Sequence, residues 1–172
     1  MKEVNTIFIV DDDATQLTMV ADHLSKFKNI TIKTFSSGEE CIKNLSLKPQ
    51  VIFLDYNFDK AGDKAKNGID VLKSIKDADP SIEVVMLSGQ DRIEVAVNTM
   101  KYGAFDYIVK NESSFHRAEN AVKNIIRKIR LEGNVKIYKR LFITFAICFT
   151  LMIAIIIYLW ANGYIAKNPG WF

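Results

Sequence analysis

Val51-Ile52-Phe53-Leu54-Asp55 decides the fold of this chain, because four apolar residues lead directly into one carboxylate. Three other short apolar runs also end on a residue suited to phosphoryl chemistry. They are Phe8-Ile9-Val10 before Asp11-Asp12, Val84-Val85-Met86-Leu87 before Ser88, and Tyr107-Ile108-Val109 before Lys110. Such runs are typical of parallel strands, and ligands bind at the carboxyl ends of those strands. The sequence therefore predicts carboxylates, a hydroxyl and an amine at one edge of one sheet.

Strand signals alternate with helical patterns along the first 130 residues. The strands are predicted at 6–10, 30–35, 50–55, 82–88 and 105–110. Apolar residues at helical spacing mark each intervening helix, and those of the fourth are Ile93, Ala96, Val97 and Met100. Five such repeats predict the α/β class, with a doubly wound five-stranded parallel sheet and helices on both faces.

Residues 141–161 form a run of 21 residues without a charge. As a helix this run is roughly 30 Å long, which matches the hydrocarbon core of a bilayer. The alternative is a buried core helix, but uncharged stretches in such helices rarely exceed about 14 residues. One transmembrane α-helix is therefore predicted after the sheet.

Basic residues concentrate just before the apolar run. Residues 123–140 contain one acidic residue, Glu132. The basic residues of the same segment are Lys123, Arg127, Lys128, Arg130, Lys136, Lys139 and Arg140. By the positive-inside rule this cluster holds the N-terminal part in the cytoplasm at the inner (plasma) membrane, in a single-pass topology with the C-terminus outside. The cluster is thus assigned to the bilayer, and no nucleic-acid partner is expected. The predicted divisions are a folded domain at 1–131, a basic linker at 132–140, the span at 141–161 and a tail at 162–172.

The cysteines and histidines show no disulfide framework and no metal-binding motif in the sequence. Cys41 and Cys148 form no disulfide framework, since one lies in the folded domain and the other in the predicted span. His23 and His116 show no metal-ligand spacing in the sequence, and the simplest interpretation places both on the surface or on helices.

The acidic residues at the strand ends need a cation. Asp11, Asp12 and Asp55 at neighbouring strand ends would repel one another by one or more kcal/mol, even with strong screening, at a separation of a few ångströms. Hard carboxylate oxygens suit Mg²⁺. A carboxylate also serves as a nucleophile toward phosphorus and gives an aspartyl phosphate. The residues therefore predict Mg²⁺-dependent phosphoryl chemistry.

Lys110, Ser88 and Gly89 complete the expected site. Charge on the oxygens of a transferred phosphoryl group requires cations and hydrogen-bond donors already in place. Lys110 supplies an ammonium and Ser88 a hydroxyl, while Gly89 lets an oxygen approach its backbone N–H.

From about Thr6 to Arg130 the chain resembles the receiver domain of bacterial two-component response regulators. Four motifs carry the resemblance: Ile9-Val10-Asp11-Asp12, Phe53-Leu54-Asp55, Met86-Leu87-Ser88-Gly89 and Tyr107-Ile108-Val109-Lys110. The resemblance implies a flavodoxin-like (βα)₅ fold with strand order 2-1-3-4-5. It also implies a histidine kinase or phosphotransfer protein as partner, and no catalysis beyond the domain's own phosphorylation and slow dephosphorylation. A separate hypothesis is that phosphorylation changes pairing through the fourth helix, the fifth strand and the fifth helix, which would give a phosphorylation-dependent homodimer.

The same resemblance assigns roles to individual residues. Asp55 would be the phosphoacceptor, assisted by Ser88 and Lys110. The Mg²⁺ ligands would be Asp11, Asp12, Asp55 and the backbone carbonyl of Asn57. Backbone groups of Asn57 and Gly89 would contact the phosphoryl group, and Ser88 and Tyr107 would act as the conformational switch.

Two departures from the family pattern lie beside this site. Phe58-Asp59 stands where the family usually has Met-Pro, and the loop to Gly68 looks about five residues longer, judged against a short strand-to-helix connection. Asn111 follows Lys110 where members usually have proline, so this peptide is trans or strained.

Two other functions remain open on the sequence. Asp11-Asp12-Asp13-Ala14-Thr15 also matches the first motif of haloacid-dehalogenase-like phosphatases, with Asp11 as nucleophile, but that interpretation leaves Asp55 unexplained. The other alternative is a receiver-like membrane scaffold that does not turn over phosphate. A tail-anchored receiver with no separate output domain accounts for more of these residues than either alternative does.

Overall fold

The computed structural model describes residues 4–57, 67–89 and 91–162. Most of the predicted charged loop 56–67, including Phe58-Asp59, and most of the tail 162–172 lie outside the described residues. The chain forms two compact units that divide after Ile129. Each unit is described by itself.

The first unit is built on one five-stranded sheet. Its strands are β1 (Thr6–Val10), β2 (Thr31–Phe35), β3 (Val51–Asp55), β4 (Glu83–Ser88) and β5 (Asp106–Val109). The helices of the chain are α1 (Ala14–Leu24), α2 (Gly38–Lys43), α3 (Gly68–Ala78), α4 (Ile93–Lys101) and α5 (Ser114–Ala161). Every neighbouring pair of strands is parallel, in the order β2-β1-β3-β4-β5. The predicted fold class and strand order are confirmed.

Helices cover both faces of the sheet because its central strands are apolar on both sides. In β1, Ile7 and Ile9 join a buried cluster with residues of α1 and α5, whereas Phe8 and Val10 join a second cluster with residues of α2 and α3. Side chains of a strand alternate between its faces, so this continuous apolar run feeds two cores at once.

Polar side chains fix the start of two helices at the carboxyl edge of the sheet. The Asp13 carboxylate accepts a hydrogen bond from the Thr15 N–H at 2.8 Å and caps α1. The Asn67 side chain accepts from the Asp70 N–H at 2.9 Å and caps α3. Each cap satisfies a backbone donor that the helix leaves unpaired, which is worth about 1 kcal/mol.

α2 begins after Ser37 and carries one of the two cysteines. The Ser37 side chain accepts from the Glu40 N–H at 3.2 Å and caps the helix. Cys41 is fully buried in the second apolar cluster. Burial raises the pKa of its thiol to about 12, so the thiol is protonated at neutral pH.

The structure confirms α4 but shows a different packed face from the one that the apolar pattern indicates. Ile93, Val97 and Met100 are exposed, with 80%, 49% and 42% of their surface accessible. Of the four predicted residues only Ala96 packs against the second apolar cluster, together with Val95, while Thr99 on the same helix is fully buried. Thr99 is tolerated there because its hydroxyl donates to the Ala96 carbonyl at 2.8 Å. An apolar stripe therefore remains on the outer surface of α4.

Asn111 takes a structural role where the family pattern has proline. The Lys110–Asn111 peptide is trans. The Asn111 side-chain oxygen accepts from the Ser113 N–H at 3.0 Å, and its carbonyl accepts from the Ser114 N–H at 3.0 Å. The residue thus forms the turn that leads into α5.

The second unit begins at Arg130 and consists, in its described part, of the remainder of α5. The predicted linker 132–140 is helical, and Gly133 lies within the helix. The large apolar side chains of the predicted span are exposed except for Leu159, which is half-buried, and the helix is long and apolar enough to cross a membrane. The predicted domain boundaries stay predictions.

Candidate functional site

An open cleft of about 280 Å³ lies at the carboxyl edge of the sheet. Its walls are formed by Asp11, Asp12, Asp13, Gln16, Asp55, Asn57, Gly89 and Lys110. These residues converge because each follows or ends a parallel strand, or starts the helix after it. In the register of β3 and β4, for instance, Asp55 pairs with Leu87, one residue before Ser88. The predicted convergence of strand ends is therefore observed.

A three-residue ion-pair network occupies the centre of the cleft. The Lys110 Nζ atom lies 2.7 Å from Asp11 Oδ2 and 2.6 Å from Asp55 Oδ1. Asp11 also accepts a hydrogen bond from the Asp13 N–H through its other carboxylate oxygen, at 3.0 Å. The Asp11 and Asp55 side chains are only 2% and 5% exposed, whereas Lys110 is 21% exposed. Two buried carboxylates thus share one partly accessible ammonium.

This network sets the charge state of its members. Desolvation raises the pKa of Asp55 to about 6, the hydrogen bond and charge of Lys110 oppose that rise, and the charges of Asp11 and Asp12 add to it. Burial lowers the pKa of Lys110, but the hydrogen bonds to Asp11 and Asp55 together with the charges of these two carboxylates outweigh burial, so the net shift is upward. At neutral pH the site therefore holds an ionised nucleophile candidate beside a charged ammonium.

The raised pKa of Asp55 predicts that Asp55→Asn stabilises the metal-free protein at neutral pH. Between pH 4 and 6 the folded state binds more protons at Asp55 than the unfolded state does. The free energy of unfolding of the wild type therefore falls as pH rises through this window. Above it, burial of the charge costs up to about 3 kcal/mol, from roughly two pKa units at 1.36 kcal/mol each. Asn does not bear this cost.

Amide hydrogen exchange of β1 and β3, measured in chelator, checks this expectation. Asp55→Asn should slow exchange relative to the wild type at pH 8 and leave it unchanged below about pH 3, where Asp55 is protonated in both the folded and the unfolded state. Asp77→Asn, at an exposed position on α3, should match the wild type at both pH values. Faster exchange in Asp55→Asn at pH 8 would contradict the expectation.

The acidic residues of the cleft fit a divalent cation. Asp11, Asp12 and Asp55 each offer a carboxylate oxygen, and these atoms lie within 4.8 Å of one another. Oxygen donors in such a cluster match the preference of Mg²⁺. Asn57 lines the same cleft.

Ser88 and Tyr107 lie apart from the cleft walls. Ser88 ends β4 and is fully buried, and its carbonyl accepts from the Lys110 N–H at 2.7 Å. Tyr107 is only 7% exposed and belongs to the apolar cluster on the α2 and α3 face. Its carbonyl accepts a hydrogen bond from the Arg117 guanidinium at 2.9 Å. In this conformation the aromatic side chain points inward.

Two further residues of the site were missed by the sequence analysis. Gln16 lines the cleft from the first turn of α1, where helix geometry brings it back over the strand end. Gly68 packs its backbone against the end of β3. A Cβ atom there would come within 2.6 Å of the Asp55 carbonyl oxygen and 2.8 Å of the Tyr56 Cα atom.

Comparison with known proteins agrees with the geometry. Residues 7–122 match the family described as response regulator receiver domain. A protein-glutamate methylesterase/protein-glutamine glutaminase of Bacillus subtilis is 36% identical over 112 residues, which cover 63% of this chain and 30% of that protein. An NtrX-like response regulator of Rickettsia felis is 34% identical over 105 residues, or 60% of this chain and 21% of that protein.

A solved structure shows the same architecture. NtrX from Brucella abortus superimposes with a TM-score of 0.67 and 26% identity, and the match covers 76% of this chain and 28% of that chain. The chain therefore spans less than a third of the length of each of these three relatives. The similarity concerns their domain of this fold and does not extend to their whole activities.

Proposed function

Because this chain belongs to the response regulator receiver domain family, we propose that it is the phosphoacceptor of a two-component phosphorelay, with Asp55 as the residue that is phosphorylated. The donor is the phosphohistidine of a sensor kinase or phosphotransfer protein. The domain catalyses its own phosphorylation and slow dephosphorylation and turns over no other substrate.

One observation carries this proposal. Asp55 lies at the carboxyl end of a buried central strand, in an open cleft, with a lysine ammonium 2.6 Å from its carboxylate oxygen. A carboxylate placed this way is an ionised nucleophile at neutral pH, and the ammonium is positioned to stabilise charge on an incoming group.

The proposed transfer follows from these positions. A carboxylate oxygen of Asp55 forms a bond to phosphorus as the phosphorus–nitrogen bond of the donor imidazole breaks, and the nitrogen keeps the electron pair. Lys110 pairs with the phosphoryl oxygens, and backbone groups of Asn57 and Gly89 contact them. Ser88 and Tyr107 then change conformation as the switch, Ser88 by turning its hydroxyl toward the phosphoryl group.

Asp11, Asp12, Asp55 and the Asn57 carbonyl would hold Mg²⁺ in the cleft. When bound, the ion supplies positive charge against the oxygens of the transferred group. The role of the protein residues is to fix the ligand oxygens and to keep the nucleophile ionised.

Mapping of the phosphorylated peptide tests the proposal. The full chain is treated with a small phosphodonor and Mg²⁺, and the acyl phosphate is trapped by borohydride before trypsin digestion. Label is expected in the peptide 44–60, which contains Asp55. Label in peptide 3–26, which contains Asp11, would support a phosphatase-like nucleophile instead, and no label in either would favour the scaffold.

We also propose that the segment 141–161 anchors the chain in the inner membrane, with the receiver in the cytoplasm. Three features of the chain support this proposal: the uncharged length of the segment, the exposure of its side chains, and the basic cluster that precedes it. Within a bilayer these exposed apolar residues would contact lipid instead of water.

The exposed stripe on α4 is the proposed contact of a phosphorylation-dependent homodimer. Ile93, Val97 and Met100 are spaced at one and two helical turns, so they present one apolar face. Burial of that face against a second copy would remove it from water.

The association state of the chain in liposomes tests the dimer. Energy transfer between labelled copies should rise with beryllofluoride and Mg²⁺, and Ile93→Ser should reduce that rise. Met19→Ser provides the control, because Met19 is an exposed apolar residue on α1, outside the stripe. Equal transfer with and without beryllofluoride would refute the phosphorylation-dependent dimer.

A further inference from the structure

A second group of side chains of the types that bind metals lies outside the cleft at the carboxyl edge of the sheet, where α1 and α5 meet. His23 on α1 meets His116 and Glu119 on α5, with one ligand atom of each within 4.8 Å of the others. The chain contains only two histidines, and the fold brings both to this place. The two are separated by 93 positions, so no sequence spacing reveals them.

The distances are close to those of a metal site. The His23 Nε2 atom lies 3.7 Å from Glu119 Oε2. Two ligands bound about 2.0–2.2 Å from one tetrahedral ion lie roughly 3.3–3.5 Å apart. The His23 and His116 ring centroids are 5.7 Å apart with nearly perpendicular planes. Small rotations of the side chains would therefore bring all three ligand atoms to one ion.

A cation already occupies part of this position. The Lys26 ammonium lies 3.3 Å from His23 Nε2 and hydrogen bonds to Glu119 Oε2. It thus contacts two of the three candidate ligands. Lys123 pairs with the other Glu119 oxygen at 2.7 Å. The Glu119 carboxylate and the His23 imidazole therefore form a site that attracts positive charge, and the Lys26 ammonium occupies it.

We propose that His23, His116 and Glu119 bind a divalent transition-metal ion of the Zn²⁺ class, which displaces the Lys26 ammonium and ties α1 to α5. Imidazole and carboxylate ligands suit Zn²⁺ and similar ions, whereas Mg²⁺ prefers an all-oxygen site. His116 is exposed, and a cavity of about 400 Å³ beside His23 leaves room for a water ligand. The site is thus chemically distinct from the acidic cleft.

Calorimetric titration of the full chain in detergent with Zn²⁺ tests the site, with excess Mg²⁺ present to cover the acidic cleft. The wild type should bind one Zn²⁺ ion at this site. His23→Gln and His116→Gln should each weaken binding at least roughly tenfold, since even outer-shell partners contribute about 10- to 100-fold. Lys26→Met should strengthen binding about thirtyfold, because a double and a single positive charge about 4 Å apart in water repel each other about twice as strongly as two single charges.

Two control variants separate this site from others. Glu94→Gln, an exposed substitution on α4, and Asp12→Asn, in the acidic cleft, should both leave Zn²⁺ affinity unchanged. His116 is exposed, so its variant should fold even where His23→Gln does not. The proposal is overturned if the wild type binds no Zn²⁺ under these conditions, if His116→Gln binds as the wild type does, or if Asp12→Asn abolishes binding.

Discussion

Asp55→Asn is expected to abolish phosphoryl incorporation from a small phosphodonor in Mg²⁺. The amide that replaces the carboxylate lacks the anionic oxygen that attacks phosphorus, and it also weakens the cation cluster. The measurement is mass spectrometry of the intact chain after a timed reaction. Since the same substitution is expected to stabilise the metal-free fold at neutral pH, a loss of incorporation would not reflect unfolding.

Matched variants sharpen this result. Asp77→Asn removes an exposed carboxylate from α3 and should leave incorporation unchanged. Asp11→Asn should reduce the rate, because Asp11 contacts Lys110 and belongs to the cation cluster. The receiver proposal fails if phosphatase turnover survives the loss of Asp55 and disappears with Asp11.

A pair of arginines in the predicted span should release the chain from membranes. In Leu151→Arg with Ile155→Arg, two charges would sit near the bilayer centre on one face of the helix. On the insertion scale each costs about 2.5–3.5 kcal/mol, so together they oppose insertion by about 5–7 kcal/mol. We expect the wild type in the carbonate-resistant membrane fraction and the variant outside it.

The control places the same two charges elsewhere in the same helix. Leu131 and Val135 are exposed and have the same spacing, but they precede the predicted span. Leu131→Arg with Val135→Arg should therefore remain in the membrane fraction. If both pairs fractionate alike, or if the wild type needs no detergent to stay in solution, the anchor proposal is wrong.

The sequence predicted the sheet and the cleft well for a physical reason. Buried parallel strands are short, continuous and apolar, so their ends are visible in the sequence, and parallel pairing places those ends at one edge. Asp11, Asp55 and Lys110 could therefore be placed together from the strand pattern alone. Asp11 and Asp55 follow neighbouring strands, whereas Lys110 follows β5, which β4 separates from β3, so its long side chain reaches both carboxylates along the sheet edge.

Features that depend on packing between distant segments were not predictable in this way. The outward-facing residues of α4 satisfy the same helical period as packed ones, so the pattern does not show that Ile93 is exposed. The contact of Gly68 with the Asp55 carbonyl depends on how α3 docks after its loop. His23 and His116 meet only because α1 and α5 cover the same face of the sheet.

The burial of Cys41 has a practical consequence for determining topology. Its thiol is enclosed and fully protonated at neutral pH, and the only other cysteine, Cys148, lies within the proposed span. In an inserted chain neither thiol would meet a water-soluble maleimide. A cysteine introduced at an exposed position such as Lys28 would then be the sole reactive thiol. The natural sequence thus serves as its own cysteine-silent background for asking which side of a membrane the domain occupies.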